Sequence, residues 1–160
     1  MIVVDTSAFV SLAVGDVIET VVEEFEVVTT HAVWAELEAT AEYDDVHGRG
    51  AEAVQSVGEQ VVDVDGAAYV TSRIDGGEAS CVAAVDETEA AFLITDDYRA
   101  LPELQALVGA EVALSPIVLR ALVKRGVLAE AEAIGVVEVI AEQRDWLGAP
   151  INRYARQLFE

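Results

Sequence analysis

Short apolar runs alternate along the chain with longer stretches in which apolar residues recur at helical spacing. The short runs are rich in β-branched residues and show no polar alternation, which is typical of strands buried on both faces of a sheet. Five strands are predicted: Ile2 to Val4, Glu26 to Thr29, Val61 to Val64, Ala91 to Thr95, and a short one near Val112. The pattern predicts a three-layer α/β/α fold with a short central parallel sheet.

Local start and stop signals predict the helices between these strands. Thr6 and Ser7 favour the start of a first helix, Asp16 is expected to cap a second, and Thr30 or His31 opens a third that runs to about Tyr43. For the remaining segments the sequence predicts a loop over 44–50, a helix from there to about Glu59, helical structure over 67–74, a helix over 78–87, and two or three helices over 118–160 that pack on the domain. We therefore expect a single domain over residues 1–160, with a helical extension over 118–160.

The charge of the chain is unusual for a protein of 160 residues. Thirty acidic residues face nine basic ones, which gives a formal net charge of -21. At about 1 M salt the Debye length falls to about 3 Å, so such a surface no longer repels itself. This bias, with Val and Ala as the main aliphatic residues, indicates a halophilic protein. An ordinary acidic protein is the alternative.

The cysteine count and the hydropathy of the chain exclude several classes of protein. Cys81 is the only cysteine, which excludes an intrachain disulfide and a multi-cysteine zinc site. No apolar run reaches the roughly 18 residues needed to span a bilayer, and the first residues read as a strand without the basic stretch of a secretory leader. We expect a cytoplasmic protein without membrane contact.

Carboxylates follow two of the predicted strands directly. Asp5 comes after the first strand, and Asp96 and Asp97 come after the fourth. Ligands of parallel sheets bind beyond the carboxyl ends of the strands, so these side chains are expected at one edge. Each could instead cap the next helix. A group of unpaired carboxylates is costly unless a cation fills it, and oxygen ligands suit Mg²⁺ or Mn²⁺.

Four blocks of sequence resemble the PIN-domain family. They are Ile2-Val3-Val4-Asp5-Thr6-Ser7, Val33-Trp34-Ala35-Glu36-Leu37, Gly77-Glu78-Ala79-Ser80, and Leu93-Ile94-Thr95-Asp96-Asp97. They occur in the family's order within the first hundred residues, although each block by itself matches the family's motif only loosely. The region from Val118 to Glu160 is longer than in a minimal VapC toxin and resembles that of archaeal PIN-domain proteins.

The resemblance implies a metal-dependent nuclease that cleaves RNA. It assigns the catalytic carboxylates to Asp5, Glu36, Glu78 and Asp97. Of these, Asp5, Asp97 and Glu78 would bind Mg²⁺ or Mn²⁺, whereas Glu36 would bind directly, through water, or orient the attacking water. Asp96 is either a further ligand or only a helix cap. Ser7 and Thr95 would support the carboxylates or the scissile phosphate. The family also implies a homodimer and, for a toxin, a small antitoxin partner.

The net charge opposes binding of RNA, so cationic contacts are needed. Arg49, Arg73 and Arg99 lie near the acidic blocks in sequence and are candidates for phosphate contacts. Ion pairs on an acidic surface are the alternative for these arginines.

Two other classes of function share parts of this pattern. An aspartate-based phosphotransferase or a response receiver also places an aspartate after its first strand, but these need further acidic and lysine positions that this chain lacks. An inactive or weakly active PIN-like binding or assembly module is the alternative outside the enzymes.

Overall fold

The computed structural model describes all 160 residues and contains one sheet. Its strands are β1 (Ile2–Val4), β2 (Val27–Thr30), β3 (Gln60–Val62), β4 (Phe92–Ile94) and β5 (Glu111–Ala113). They pair in parallel in the order β3-β2-β1-β4-β5. All five predicted strands are present close to their expected bounds; β1 and β2 are fully buried, whereas the edge strands β3 and β5 are only half-buried.

Nine helices surround this sheet. They are α1 (Thr6–Val14), α2 (Ile18–Glu24), α3 (His31–Ala41), α4 (Val46–Gln55), α5 (Gly76–Thr88), α6 (Leu101–Leu107), α7 (Ser115–Lys124), α8 (Glu130–Gln143) and α9 (Pro150–Gln157). Helix α5 packs across the three central strands β1, β2 and β4, whereas α8 packs on α1 and α7. The predicted three-layer α/β/α fold is confirmed. None of the helices is long and apolar enough to cross a membrane.

One hydrophobic core connects the sheet to the C-terminal helices. Val3 in β1 and Leu93 in β4 are almost fully buried, and so are Leu119 in α7 and Ile140 in α8. Cys81 lies in the same core, as expected for a small apolar side chain on the inner face of α5. The core therefore fixes the sheet and the C-terminal helices relative to one another.

Three local predictions were wrong. The segment 44–50 is not a loop, because α4 begins at Val46 with the Asp45 side chain accepting from the Gly48 N–H at 2.8 Å. A Cβ atom on Gly48 would lie 1.9 Å from the Tyr43 carbonyl oxygen, so this glycine permits a close approach and does not break the helix. Asp16 does not cap α2; it has a φ of 60°, and Val17 precedes the helix.

The third error concerns residues 67–74, which contain only a short 3₁₀ turn over Ala67–Tyr69. The Thr71 hydroxyl oxygen accepts hydrogen bonds from the N–H groups of Arg73 and Ile74, each at 3.1 Å. These local bonds compete with helical ones and end the turn.

The order of the strands determines where a cleft can open. From β1 the chain crosses to β2, whereas from β4 it crosses in the opposite direction to β5. The connections therefore diverge between the neighbouring strands β1 and β4, which is the position where open parallel sheets bind ligands. Asp5 follows β1 directly, and Asp97 follows shortly after β4.

Candidate active site

Asp5 is held by three donors at the end of β1. Its Oδ1 accepts from the Ser7 hydroxyl at 2.8 Å and from the Ala8 N–H at 3.0 Å, and its Oδ2 accepts from the Thr95 hydroxyl at 2.5 Å. The side chain is 4% exposed. Burial raises the pKa of Asp5 to about 7, although these hydrogen bonds oppose the rise. Asp5 thus caps α1 and also carries a perturbed carboxyl group.

Asp97 is fixed by the turn that follows β4. Its Oδ1 accepts from the N–H groups of Arg99 at 3.1 Å and Ala100 at 3.2 Å, and its own N–H donates to the Thr95 hydroxyl oxygen at 3.2 Å. Thr95 therefore contacts both Asp5 and the backbone of Asp97. One buried hydroxyl group thus connects the Asp5 carboxylate to the backbone of Asp97.

Glu78 lies in the first turn of α5 and forms a capping box with Asp75. The Glu78 N–H donates to Asp75 Oδ1 at 2.9 Å, and the Asp75 N–H donates to Glu78 Oε1 at 3.2 Å. The other oxygen, Oε2, is buried without a hydrogen-bond partner, and the residue is only 7% exposed. Burial, together with the charges of Asp75, Asp97 and Asp5, raises the pKa of Glu78 to about 8.

Glu36 projects from α3 toward the start of α5. The Thr6 hydroxyl donates to its Oε2. A Cβ atom on Gly77 would lie 2.2 Å from Oε1 of Glu36, so the absence of a side chain at Gly77 leaves room for this carboxylate. Burial, and then the charge of Asp75, raises the pKa of Glu36. Glu36 is thus separated from the solvated acidic residues on the rest of α3.

These side chains line one cleft of about 210 Å³. It is lined by eleven residues: Asp5, Thr6, Ser7, Val10, Glu36, Thr40, Asp75, Gly77, Glu78, Asp97 and Arg144. Five of them are carboxylates and one is a cation, and Val10 is the only apolar member. As the side chains stand, no three His, Cys, Asp or Glu residues are arranged to hold an ion. The carboxylates share a cleft, but each is held by its own local partners.

Asp96 does not line this cleft. Its carboxylate accepts from the N–H and the hydroxyl group of Ser115, both at 2.7 Å, at the start of α7. Burial raises the pKa of Asp96. The Asp96 carboxylate is thus bonded to the first residue of α7. Ser7 lines the cleft, donates to Asp5 and accepts from the Asp96 N–H at 2.9 Å, so it connects the Asp5 carboxylate to the backbone of Asp96.

None of the arginines considered from the sequence lines the cleft. Arg49, Arg73 and Arg99 are all exposed elsewhere. The cation in the cleft is Arg144, which follows the last turn of α8. No local pattern marked this residue, since only the packing of α8 on α1 carries it to the site.

Asp75 was also missed as a cleft residue. The spacing Asp75-x-x-Glu78 matches a capping box and could have shown that the two carboxylates lie together. The two glycines that follow Asp75 are also typical of a break between helices, and this second interpretation conceals the capping box.

Comparison with known proteins places the chain in a family. A protein-family model described as a PIN domain matches residues 1–159, which includes every cleft residue and the C-terminal helices. No curated protein and no solved structure matches the chain. PIN domains generally have a nuclease-type fold and typically use divalent metals. The match covers almost the whole chain, and the chain therefore belongs to the PIN-domain family.

Proposed function

We propose that this protein is a metal-dependent ribonuclease that hydrolyses RNA phosphodiester bonds in the carboxylate cleft. The observation that carries the proposal is the unpaired, buried Oε2 of Glu78 in a cleft lined by four other carboxylates. An isolated buried carboxylate oxygen is costly, and several like charges nearby increase that cost. Folding retains this arrangement although apolar residues would pack more favourably there.

The donor set fits a divalent cation. Every charged group lining the cleft except Arg144 is a carboxylate, and hard oxygen ligands favour Mg²⁺ or Mn²⁺ over zinc. Asp5, Glu78 and Asp97 would hold the ion, whereas Asp96 is left out because it does not line the cleft and its carboxylate bonds Ser115 at the start of α7. A bound cation would stabilise negative charge on a reacting phosphate and lower the pKa of water.

The protein's own residues then orient and receive the substrate. Glu36, held by Thr6, is placed to bind the ion through water or to orient the attacking water. Thr95 and Ser7 keep both oxygens of Asp5 in fixed positions, so this carboxylate cannot turn away. Hydrolysis adds water across one P–O bond, and the leaving oxygen takes up a proton.

Cleavage of labelled single-stranded RNA in concentrated salt tests this proposal. We expect cleavage with Mg²⁺ or Mn²⁺ and none with a chelator. The variant Asp5→Asn should lose cleavage, and its melting temperature should no longer rise on addition of Mn²⁺. Asp44→Asn is a matched control, because Asp44 is exposed and outside the cleft. Cleavage that persists in Asp5→Asn would remove the carboxylate cleft from the reaction.

An inactive or weakly active binding module is the second candidate. It is favoured by the absence of any three side chains arranged to hold an ion. A protein that binds RNA without metal-dependent cleavage would support it. The toxin role, an antitoxin partner, a homodimer and adaptation to high salt stay predictions. A small reading frame directly upstream of the gene would favour the toxin.

A further inference from the structure

Arg144 is the only cation that lines the carboxylate cleft. It follows α8 and reaches the first turn of α1, where its Nη2 donates to the Ser7 carbonyl oxygen at 3.4 Å. Ser7 also donates its hydroxyl to Asp5, so the guanidinium group lies close to the centre of the site. The packing of α8 on α1 and α7 fixes this position.

The guanidinium group is poorly satisfied where it lies. Arginine has five N–H donors, and the long bond to Ser7 is the only hydrogen bond that its side chain makes. The structure contains one ion pair, between Arg125 and Glu24, so Arg144 is within 4.0 Å of no carboxylate oxygen. Burial lowers the pKa of Arg144, and the charges of Asp96 and Asp5 oppose that effect.

Two roles could explain a half-buried arginine in an acidic cleft. A counter-ion for the carboxylates would be expected to pair with one of them, and no such pair is formed. A group that receives a phosphate would keep its donors free until the substrate arrives. The planar fork of N–H donors matches two phosphate oxygens at once. The free donors therefore favour the second role.

The net charge of the molecule supports a phosphate-binding role for Arg144. At a net charge of -21 the protein repels a polyanion, and the three arginines first considered for substrate contacts are exposed outside the cleft. Any cationic contact inside the cleft must then come from Arg144. We propose that Arg144 is a substrate-contacting residue that binds a phosphate group of the RNA strand in the cleft, which rests on the proposed ribonuclease function.

The test compares three variants of the full-length protein. Arg144→Gln removes the charge, Arg144→Lys keeps the charge but not the planar fork, and Arg153→Gln makes the same charge change at an exposed arginine that makes no side-chain hydrogen bond or ion pair. Cleavage of a single-stranded RNA oligonucleotide gives KM and kcat at several salt concentrations. Binding of Mn²⁺ is measured separately by calorimetry without RNA.

We expect Arg144→Gln to raise KM by about 10- to 100-fold, which corresponds to the loss of a charge-assisted hydrogen bond. The slope of log affinity against log salt should fall by about 0.7, as for one lost contact to a single strand. Arg144→Lys should keep the slope and raise KM by less, while Arg153→Gln should behave as the wild type. Binding of Mn²⁺ should not weaken in any of them.

Unchanged KM and salt slope in Arg144→Gln would overturn the proposal, and so would a change confined to Mn²⁺ affinity, which would identify a counter-ion. The melting temperature of Arg144→Gln, compared with that of Arg153→Gln, shows whether the variant folds. If it does not fold, Arg144→Lys takes its place in the test. A KM of Arg144→Lys equal to that of the wild type would then contradict the proposed contact between the planar guanidinium group and a phosphate. A wild type that binds RNA without cleaving it refutes the ribonuclease alone, and Arg144 is then tested on binding affinity. A wild type that does neither overturns both proposals.

Discussion

Thr95 donates its hydroxyl hydrogen to Oδ2 of Asp5 across 2.5 Å, although the two residues are separated by 90 positions in the chain. The same hydroxyl oxygen accepts from the Asp97 N–H at 3.2 Å. One fully buried side chain between β1 and β4 therefore orients the first carboxylate and the backbone of the last.

Replacing Thr95 with Val should disturb the site without changing its charge. Oδ2 of Asp5 would lose its donor, which costs about 1–3 kcal/mol for a buried polar group. Because the bond from Thr95 lowers the pKa of Asp5, its loss should raise that pKa further and weaken Mn²⁺ binding at neutral pH. Calorimetric titration with Mn²⁺ measures the effect. Thr95→Ser keeps the hydroxyl and should bind Mn²⁺ almost as the wild type does; equal binding by Thr95→Val would contradict the role of this bond.

Two adjacent glycines at the start of α5 allow a matched comparison. A Cβ atom on Gly77 would lie 2.2 Å from Oε1 of Glu36, whereas one on Gly76 would have no heavy atom within 4 Å. Gly77→Ala should displace Glu36 and reduce RNA cleavage strongly. Gly76→Ala should keep full activity and gain up to about 1 kcal/mol in stability from the lower entropy of the unfolded chain. Rates and melting temperatures of both variants check this, and equal rates would show that the position of Glu36 is unimportant.

The neighbouring residues Asp96 and Asp97 should separate stability from activity. Asp96→Asn disturbs the two hydrogen bonds from Ser115 that begin α7 and should cost about 1 kcal/mol, or about 2–4 °C in Tm. Its cleavage rate should remain close to that of the wild type. Loss of a residue that only orients a metal ligand typically reduces activity by up to about 100-fold. Asp97→Asn removes a proposed ligand itself and should therefore reduce cleavage by more than that. The opposite pattern would exchange the roles assigned to the two residues.

The stability of the metal-free protein should depend on pH through Asp5 and Glu78. Their pKa values in the folded protein, about 7 and about 8, lie above the ordinary values of 3.8 and 4.5. Between these values the folded state binds more protons than the unfolded state, so the contribution of the two groups to stability is greatest in acid, falls as pH rises above the ordinary values of 3.8 and 4.5, and is fully lost once pH has passed about 7 to 8. Urea denaturation with chelator, from about pH 5.5 to about pH 8.5, should show this fall.

Two controls accompany the pH series. Excess Mn²⁺ should reverse the loss near pH 8, because a cation that binds only the folded state stabilises it by mass action. A variant with both Asp5→Asn and Glu78→Gln should show little of the fall. A flat profile in the metal-free wild type would show that these two groups titrate normally.

The fold could be predicted because the central strands β1 and β4 are apolar throughout and the other three strands each contain a short apolar run. The β1 run and Asp5 are contiguous in the sequence, so the placement of this carboxylate at the end of a strand followed directly. The predictions were wrong where a glycine or an aspartate was compatible with two different local structures. Gly48 permits close packing inside α4, and Asp16 takes a left-handed conformation that ends one helix without capping the next.

The site could be predicted from the sequence only in part, for a different reason. Four of the five carboxylates in the cleft, Asp5, Glu36, Glu78 and Asp97, lie in sequence blocks with a recognisable pattern, so their order was visible. Arg144 comes to the cleft only because α8 packs on α1, and no local pattern encodes that contact. Asp96 and Asp97 are adjacent and identical in type, and only the position of Ser115 near Asp96 distinguishes them.

The pairing of β1 with β4 has a kinetic consequence. Ile2 lies opposite Phe92, so the central strand pair must wait until a long intervening segment has been ordered, and contacts of such sequence separation slow folding. Asp5 and Thr95 meet only once that pair has formed. We therefore expect the capacity to bind Mn²⁺ to return during refolding together with the final cooperative phase, and not in any faster helical phase.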